Sequence, residues 1–341
     1  MKCVKLNGVK EFAIGEIEEP SANGIDVIVD VKKAGICGSD IHYWDLGGPA
    51  GLVMGHEFCG IVTDPGSRDD LKIGDRITAL PISPCGKCHA CLSGNVQYCI
   101  HTWDTAVGLA LTNPGAYALK TKIRPDMVYK VPDTLTDDEV AMTEPTAVAL
   151  HAVNLAKIKL GDKVLVIGAG IIGSLSAMFA KKNGASYVAV SEANLARGNK
   201  CVQLGNADEV INALSETFKE DALKNCPEGY DVVIECCGNS AAVNSAISVV
   251  KTGGTVVLVG VSMTPINYYS VLQVTHELTV IGAIAYTKEE FKTCIDMMAA
   301  KQIDVKGCVD DIVSLDNVQS AYERLTSGKD DAVKILIDPK K

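Results

Sequence analysis

The chain has 341 residues and a formal net charge of −10, with 47% hydrophobic and 22% charged residues. That length exceeds what one hydrophobic core usually serves and predicts two domains, while the apolar fraction excludes a disordered chain. The acidic balance would repel nucleic acid and anionic lipid, which leaves small molecules as the expected partners.

The opening Met1-Lys2-Cys3-Val4-Lys5 lacks the long apolar run of an export signal, and no stretch has the apolar length of a membrane span, so a cytoplasmic protein is expected. Thirteen cysteines would predict disulfides in a short exported chain. Here the odd count and the long chain predict reduced thiols, some of them bound to metal.

From the start to about residue 144, alternating runs such as Asp26-Val27-Ile28-Val29-Asp30-Val31 are broken every few residues by Gly, Pro and Asn. That pattern predicts a β-rich, loop-heavy domain. It carries Cys37-Gly38-Ser39-Asp40-Ile41-His42, then Gly55-His56-Glu57, and ends at Thr143-Glu144-Pro145. A catalytic zinc needs three protein ligands and an open position, which Cys37, His56 and either Glu57 or Glu144 would provide. Neighbouring strand residues face opposite sides, so Glu57 joins His56 on a metal only if the backbone turns there. Asp40 is placed to hold the other nitrogen of the histidine. Between these segments lies Cys85-x2-Cys88-x2-Cys91-x7-Cys99, in a loop of about 84–100 opened by Pro84. Four thiolates so close in sequence predict a structural zinc. An iron–sulfur cluster is the competing reading, but such runs place a proline after the fourth cysteine, where Ile100 stands here.

From residue 163 to 282 the texture changes to short apolar runs, at 164–167, 187–190, 209–211, 231–234, 255–259 and 278–281, each followed by a helix-length segment. Six such strands predict a doubly wound parallel sheet that binds a dinucleotide. The first run enters Gly168-Ala169-Gly170-Ile171-Ile172-Gly173, and the second ends at Glu192. The glycines allow a tight turn and close approach of pyrophosphate to a helix N-terminus, while a carboxylate at Glu192 would accept the ribose hydroxyls and repel a 2′-phosphate, favouring NAD over NADP. Arg197 either covers the adenine or meets such a phosphate. Cys236 and Cys237 follow a buried strand and read as small core residues, and His151 reads as a packed structural histidine. After residue 282, a helical segment at 291–300 and a strand at 333–337 are expected to return to the first domain.

These motifs, in this order, resemble the zinc-containing medium-chain dehydrogenase/reductase superfamily, and the resemblance covers essentially the whole chain. Glu144-Pro145-Thr146-Ala147-Val148-Ala149-Leu150-His151 resembles its sorbitol and 2,3-butanediol dehydrogenase branch, with a glutamate where other alcohol dehydrogenases carry a cysteine. His42-Tyr43-Trp44 resembles sorbitol dehydrogenase; Gly282-Ala283-Ile284-Ala285-Tyr286 resembles butanediol dehydrogenase, with Ala285 where sorbitol dehydrogenases carry arginine. The segment from Ile41 to Gly55 is short for the sorbitol enzymes, so the pocket wall differs.

The resemblance implies an α/β protein with a GroES-like β-rich catalytic domain over 1–144 and 285–341 and a six-stranded Rossmann domain over 145–284, the active site in the cleft between them. It implies one catalytic and one structural zinc, and a homodimer or homotetramer. Cofactor contacts are expected from Gly168, Gly170, Ile172, Gly173, Glu192, Arg197, Val259 and Ile284, and substrate contacts from Tyr43, Glu144 and Tyr286. Tyr43 and Trp44 read equally well as packing aromatics. The expected reaction moves a hydride between a secondary alcohol, a small diol or polyol, and NAD. Ser39 takes the alcohol proton and passes it along the nicotinamide ribose to His42 and solvent. The runner-up substrates are threonine and a hexitol phosphate, although residues 43–52 hold no base to meet a phosphate. A non-catalytic NAD-binding protein is the reading from a different class; loss of a zinc ligand would mark it, and all four candidates are present.

Overall fold

The computed structural model describes residues 1–341. It forms two compact units, Met1–Ala147 with Tyr286–Lys341, and Val148–Ala285. The expected first boundary, 144/145, thus moves to within the helix Thr143–Ala156, and the return to the first unit starts at Tyr286 rather than 285. Pro145 marks no break because a first-turn proline lacks an N–H that would have had no helical partner anyway.

In the first unit, β1 (Lys2–Gly8) and β2 (Glu11–Glu16) form an antiparallel pair. The strands β3 (Val27–Gly35), β4 (Glu57–Asp64), β5 (Arg76–Ala79), β6 (Lys120–Ile123) and β7 (Val128–Lys130) belong to a seven-stranded sheet. The alternation in β3 does what the sequence pattern predicts: Val27, Val29 and Val31 are fully buried, while Asp30 and Lys32 are partly exposed.

The second unit holds β8 (Lys163–Ile167), β9 (Tyr187–Glu192), β10 (Glu209–Asn212), β11 (Tyr230–Glu235), β12 (Val250–Leu258) and β13 (Thr279–Gly282). They run parallel in the order β10-β9-β8-β11-β12-β13, the doubly wound arrangement. Strand β12 begins earlier than the apolar run at 255–259 because Val250 pairs with Tyr230 ahead of a register shift, and Gly253, at φ +73, makes the irregularity possible. The Gly-rich turn after β8 lies at the point where strand order reverses, which is where such sheets bind ligands.

The chain then returns to the first unit through the helix Lys288–Ala299, β14 (Val309–Ser314), the helix Val318–Thr326 and β15 (Lys334–Asp338). The pairing of β15 with β3 is antiparallel, with Leu336 opposite Gly35 and Ile337 opposite Ala34. No helix is long and apolar enough to cross a membrane. Leu336 is fully buried between β14 and β3; Leu336→Ala is expected to lower the stability of this unit by about 2–5 kcal/mol, measured by denaturant unfolding.

Candidate active site

The end of β3 runs through Ile36 into Cys37, which precedes the helix Gly38–Leu46. Asp40, in the first turn of that helix, accepts the Cys37 backbone N–H at 3.4 Å, and the Ser39 hydroxyl donates to Cys37 Sγ at 3.2 Å. His56 stands just ahead of β4, whose first residue is Glu57. Gly55 has φ +97, so the chain turns immediately before His56 and the two residues are not successive members of a regular strand. That is the condition under which both reach one point. The candidate ligand atoms of Cys37, His56 and Glu57 all lie within 4.8 Å of one another. Glu144 stands outside this trio, in the first turn of its helix, and its Oε1 accepts the Tyr286 hydroxyl at 2.9 Å.

The site is buried and rich in acids. Asp40 and Glu57 are fully buried, His56 and Glu144 nearly so. Asp40 Oδ1 lies 3.3 Å from His56 Nδ1. Burial alone would push the His56 pKa down, but Asp40 and Cys37 outweigh it and hold it well above the usual range. Burial raises the Glu144 carboxyl to about 7, against the opposing pull of His56 and with the like charge of Glu57 adding to the rise. Asp40 Oδ2 also accepts the Tyr117 hydroxyl at 3.2 Å, and that hydroxyl lies 2.9 Å from the hydroxyl of Tyr322. Glu57 Oε2 is paired with the ammonium of Lys334, whereas its Oε1 is buried with no hydrogen-bond partner. Leaving a buried acceptor unmet costs about 1–3 kcal/mol, more for a charged one. A divalent cation facing Oε1, the thiol and the imidazole would remove that cost, so these residues fit a catalytic zinc.

The four cysteines of the loop also converge, with all four sulfurs within 4.8 Å of one another. Cys88 and Cys91 are 3.5 Å apart, and Cys99 Sγ accepts the backbone N–H groups of Cys85 and His101 at 3.4 Å each. Backbone N–H groups of Lys87 and Cys88 draw the Cys85 thiol down to about 6, whereas burial pushes the neighbouring Cys91 thiol up to about 11. All thirteen cysteines are unbridged.

In the second unit, Gly168 has φ +93, and a Cβ there would meet Cys237 Sγ at 2.6 Å. At Gly173 a Cβ would meet the Gly168 carbonyl oxygen at 1.7 Å, whereas at Gly170 nothing lies within 4 Å. The turn is therefore tight on its inner side and open at Gly170, which caps the helix Ile171–Lys182 and leaves room for a phosphate at its N-terminus. Glu192 is fixed beside this turn, one oxygen accepting the Ala169 N–H at 2.8 Å and the other the Asn194 N–H at 2.9 Å. Arg197 is half-buried on the helix Leu195–Gln203, Ile172 is half-buried in the helix after the turn, and Val259 and Ile284 follow the C-terminal ends of β12 and β13.

One expectation changes and others hold. Cys237 is exposed against the Gly-rich turn rather than buried in the core, because β11 has already ended at Glu235. Trp44 is buried and packs on Tyr322 with ring centres 5.6 Å apart, so it is a packing aromatic, while Tyr43 is half-buried. His151 is buried in its helix. Tyr117, Tyr322 and Lys334 were not legible as site residues, although a lysine inside Val333-Lys334-Ile335-Leu336-Ile337 is the kind of interruption that signals a buried partner.

Residues 23–133 match the alcohol dehydrogenase GroES-like domain and residues 172–300 the zinc-binding dehydrogenase domain. The sorbitol dehydrogenase of Bacillus subtilis (strain 168) is 31% identical, over 99% of this chain and 97% of its own. Among solved structures, 2R,3R-butanediol dehydrogenase from Bacillus subtilis is 29% identical with a TM-score of 0.87, over 99% of both chains. A Sinorhizobium meliloti 1021 protein bound to NADP gives the same identity, TM-score and coverage. The chain belongs to the zinc-binding alcohol dehydrogenase family, in the branch of the polyol and diol dehydrogenases. Gly173→Ala is expected to destabilise the protein by about 1–3 kcal/mol through the contact with the Gly168 carbonyl, read as a lowered melting temperature.

Proposed function

We propose that this protein interconverts a secondary alcohol and its ketone in a small diol or polyol, using NAD. The observation that carries this reading is the buried, unpartnered Oε1 of Glu57 beside Cys37 and His56, a trio suited to one divalent metal. We assign Cys37, His56 and Glu57 to a catalytic zinc, with Glu144 beside it, and the four cysteines of the loop to a structural zinc. When bound, zinc supplies Lewis-acid charge for the substrate oxygen and NAD accepts the hydride.

The protein's own groups orient the substrate and move its proton. Ser39 and His42 stand one turn apart on the helix Gly38–Leu46 and share a face. Ser39 accepts the proton of the substrate hydroxyl, and half-buried His42 passes it towards solvent. Tyr286 fixes the Glu144 carboxylate by its 2.9 Å hydrogen bond, so that pair presents a defined acceptor to a second hydroxyl of a polyol. Asp40 orients the imidazole of His56. Glu192 beside the Gly-rich turn supports NAD over NADP, because a carboxylate there repels a 2′-phosphate. Family resemblance supports a cytoplasmic homodimer or homotetramer.

The first test follows NADH absorbance with NAD and 2,3-butanediol stereoisomers, sorbitol, xylitol, galactitol 1-phosphate or threonine, before and after a chelator. Oxidation of diols or polyols that vanishes with the metal and returns with zinc is expected; oxidation of threonine alone would redirect the substrate assignment. Ser39→Ala is expected to lower turnover by about 10²-fold or more while zinc and NAD remain bound, and an unchanged rate would remove Ser39 from the relay.

A further inference from the structure

We propose that Lys334 is a positioning residue of the metal site: it holds one oxygen of Glu57 and so leaves Oε1 alone to face the metal. The proposal rests on the reading of Cys37, His56 and Glu57 as metal ligands.

Lys334 belongs to β15 and is 1% exposed, a depth at which lysines occur almost only when paired. Its Nζ pairs with Glu57 Oε2 and donates to the Ile36 carbonyl at 2.9 Å. Ile36 directly precedes Cys37, so one ammonium group ties together both segments that bring candidate ligands to the site. The space for the pair is made by Gly35, where a Cβ would lie 1.9 Å from Glu57 Oε2 and 2.9 Å from Lys334 Cε. The other oxygen of Glu57 is buried without a hydrogen-bond partner.

Stability alone does not account for this arrangement. Replacing a buried ion pair by well-packed apolar residues is often neutral or favourable. What the pair supplies is direction, and the identity of the cation matters to that direction. An ammonium is a compact point charge that engages one carboxylate oxygen, whereas a guanidinium presents a planar fork that engages two. Lysine at 334 therefore keeps Glu57 as a one-oxygen ligand, and arginine would draw Oε1 back from the metal without changing the local charge.

The test measures zinc release from the holoprotein into a chromophoric chelator, with the visible spectrum of the cobalt-substituted protein as a second readout. Cys37→Ala, which removes a candidate ligand, identifies the release phase that belongs to this site. Lys334→Arg is expected to speed that phase by about tenfold and to shift the cobalt spectrum, while release from the four-cysteine loop is unchanged. In a Glu57→Gln background, Lys334→Met is expected to add no further change, because Lys334 acts through Glu57. Both charges are removed in that double variant, so it tests the coupling even if Lys334→Met alone does not fold. A parent-like release rate and spectrum in Lys334→Arg, or a further several-fold acceleration in the double variant over Glu57→Gln, would overturn the proposal. If the parent and Cys37→Ala release the same zinc in the same phases, the ligand assignment itself has failed and the positioning role falls with it.

Discussion

The constraint on which the first unit depends is the crowding of negative charge in a site from which water is largely excluded. A thiol, Cys37, and three carboxylates, Asp40, Glu57 and Glu144, lie around one imidazole, and the carboxylates are all buried. An ionised carboxylate taken out of water without compensation costs several kcal/mol. Each of these carboxylates is met by one donor from elsewhere in the chain: Asp40 by Tyr117, Glu144 by Tyr286, Glu57 by Lys334. A metal cation would complete the compensation, so the acidity that burdens this site is also what would favour a metal there.

The donors also explain why the last part of the chain returns to the first unit. Tyr286 opens the returning segment, Tyr322 extends the hydrogen-bonded chain that runs through Tyr117 to Asp40, and Lys334 sits in the final strand. The second unit, whose strands pair mostly over short stretches of sequence, supplies none of these three groups. Its own polar organisation centres on Glu192 and the Gly-rich turn.

How much of this could be read in the residue order depends on the range of each interaction. The four-cysteine loop closes over fourteen residues and is visible in its spacing alone. The parallel sheet was legible because its central strands β8, β9 and β11 are buried on both faces and so appear as unbroken apolar runs, although the edge strands β10 and β13 are partly exposed. The candidate trio Cys37, His56 and Glu57 was legible as a set of residue types, but whether Glu57 can converge with His56 depended on a turn at Gly55 that spacing does not reveal. β14 and the helix Val318–Thr326 were missed, since Asp310 and Asp311 interrupt the alternation of the strand and the helix exposes much of its surface. Tyr117, Tyr322 and Lys334 were hidden for a different reason: their partners are 77 to 277 residues away, and no local pattern encodes a pairing at that distance.

That distance has a consequence for how the protein is made. Glu57 and Lys334 are separated by 277 residues. At synthesis rates of about 5–20 residues per second, Glu57 waits on the order of tens of seconds before its counter-ion leaves the ribosome. Within that interval the four-cysteine loop gains its last sulfur at Cys99 and the second unit its last strand at Gly282, while the acidic site still lacks the strand that compensates it. The residues of the cysteine loop are therefore all present before the acidic site gains its counter-ion, and a nascent chain carries an open, uncompensated half-site until its final strand docks on β3.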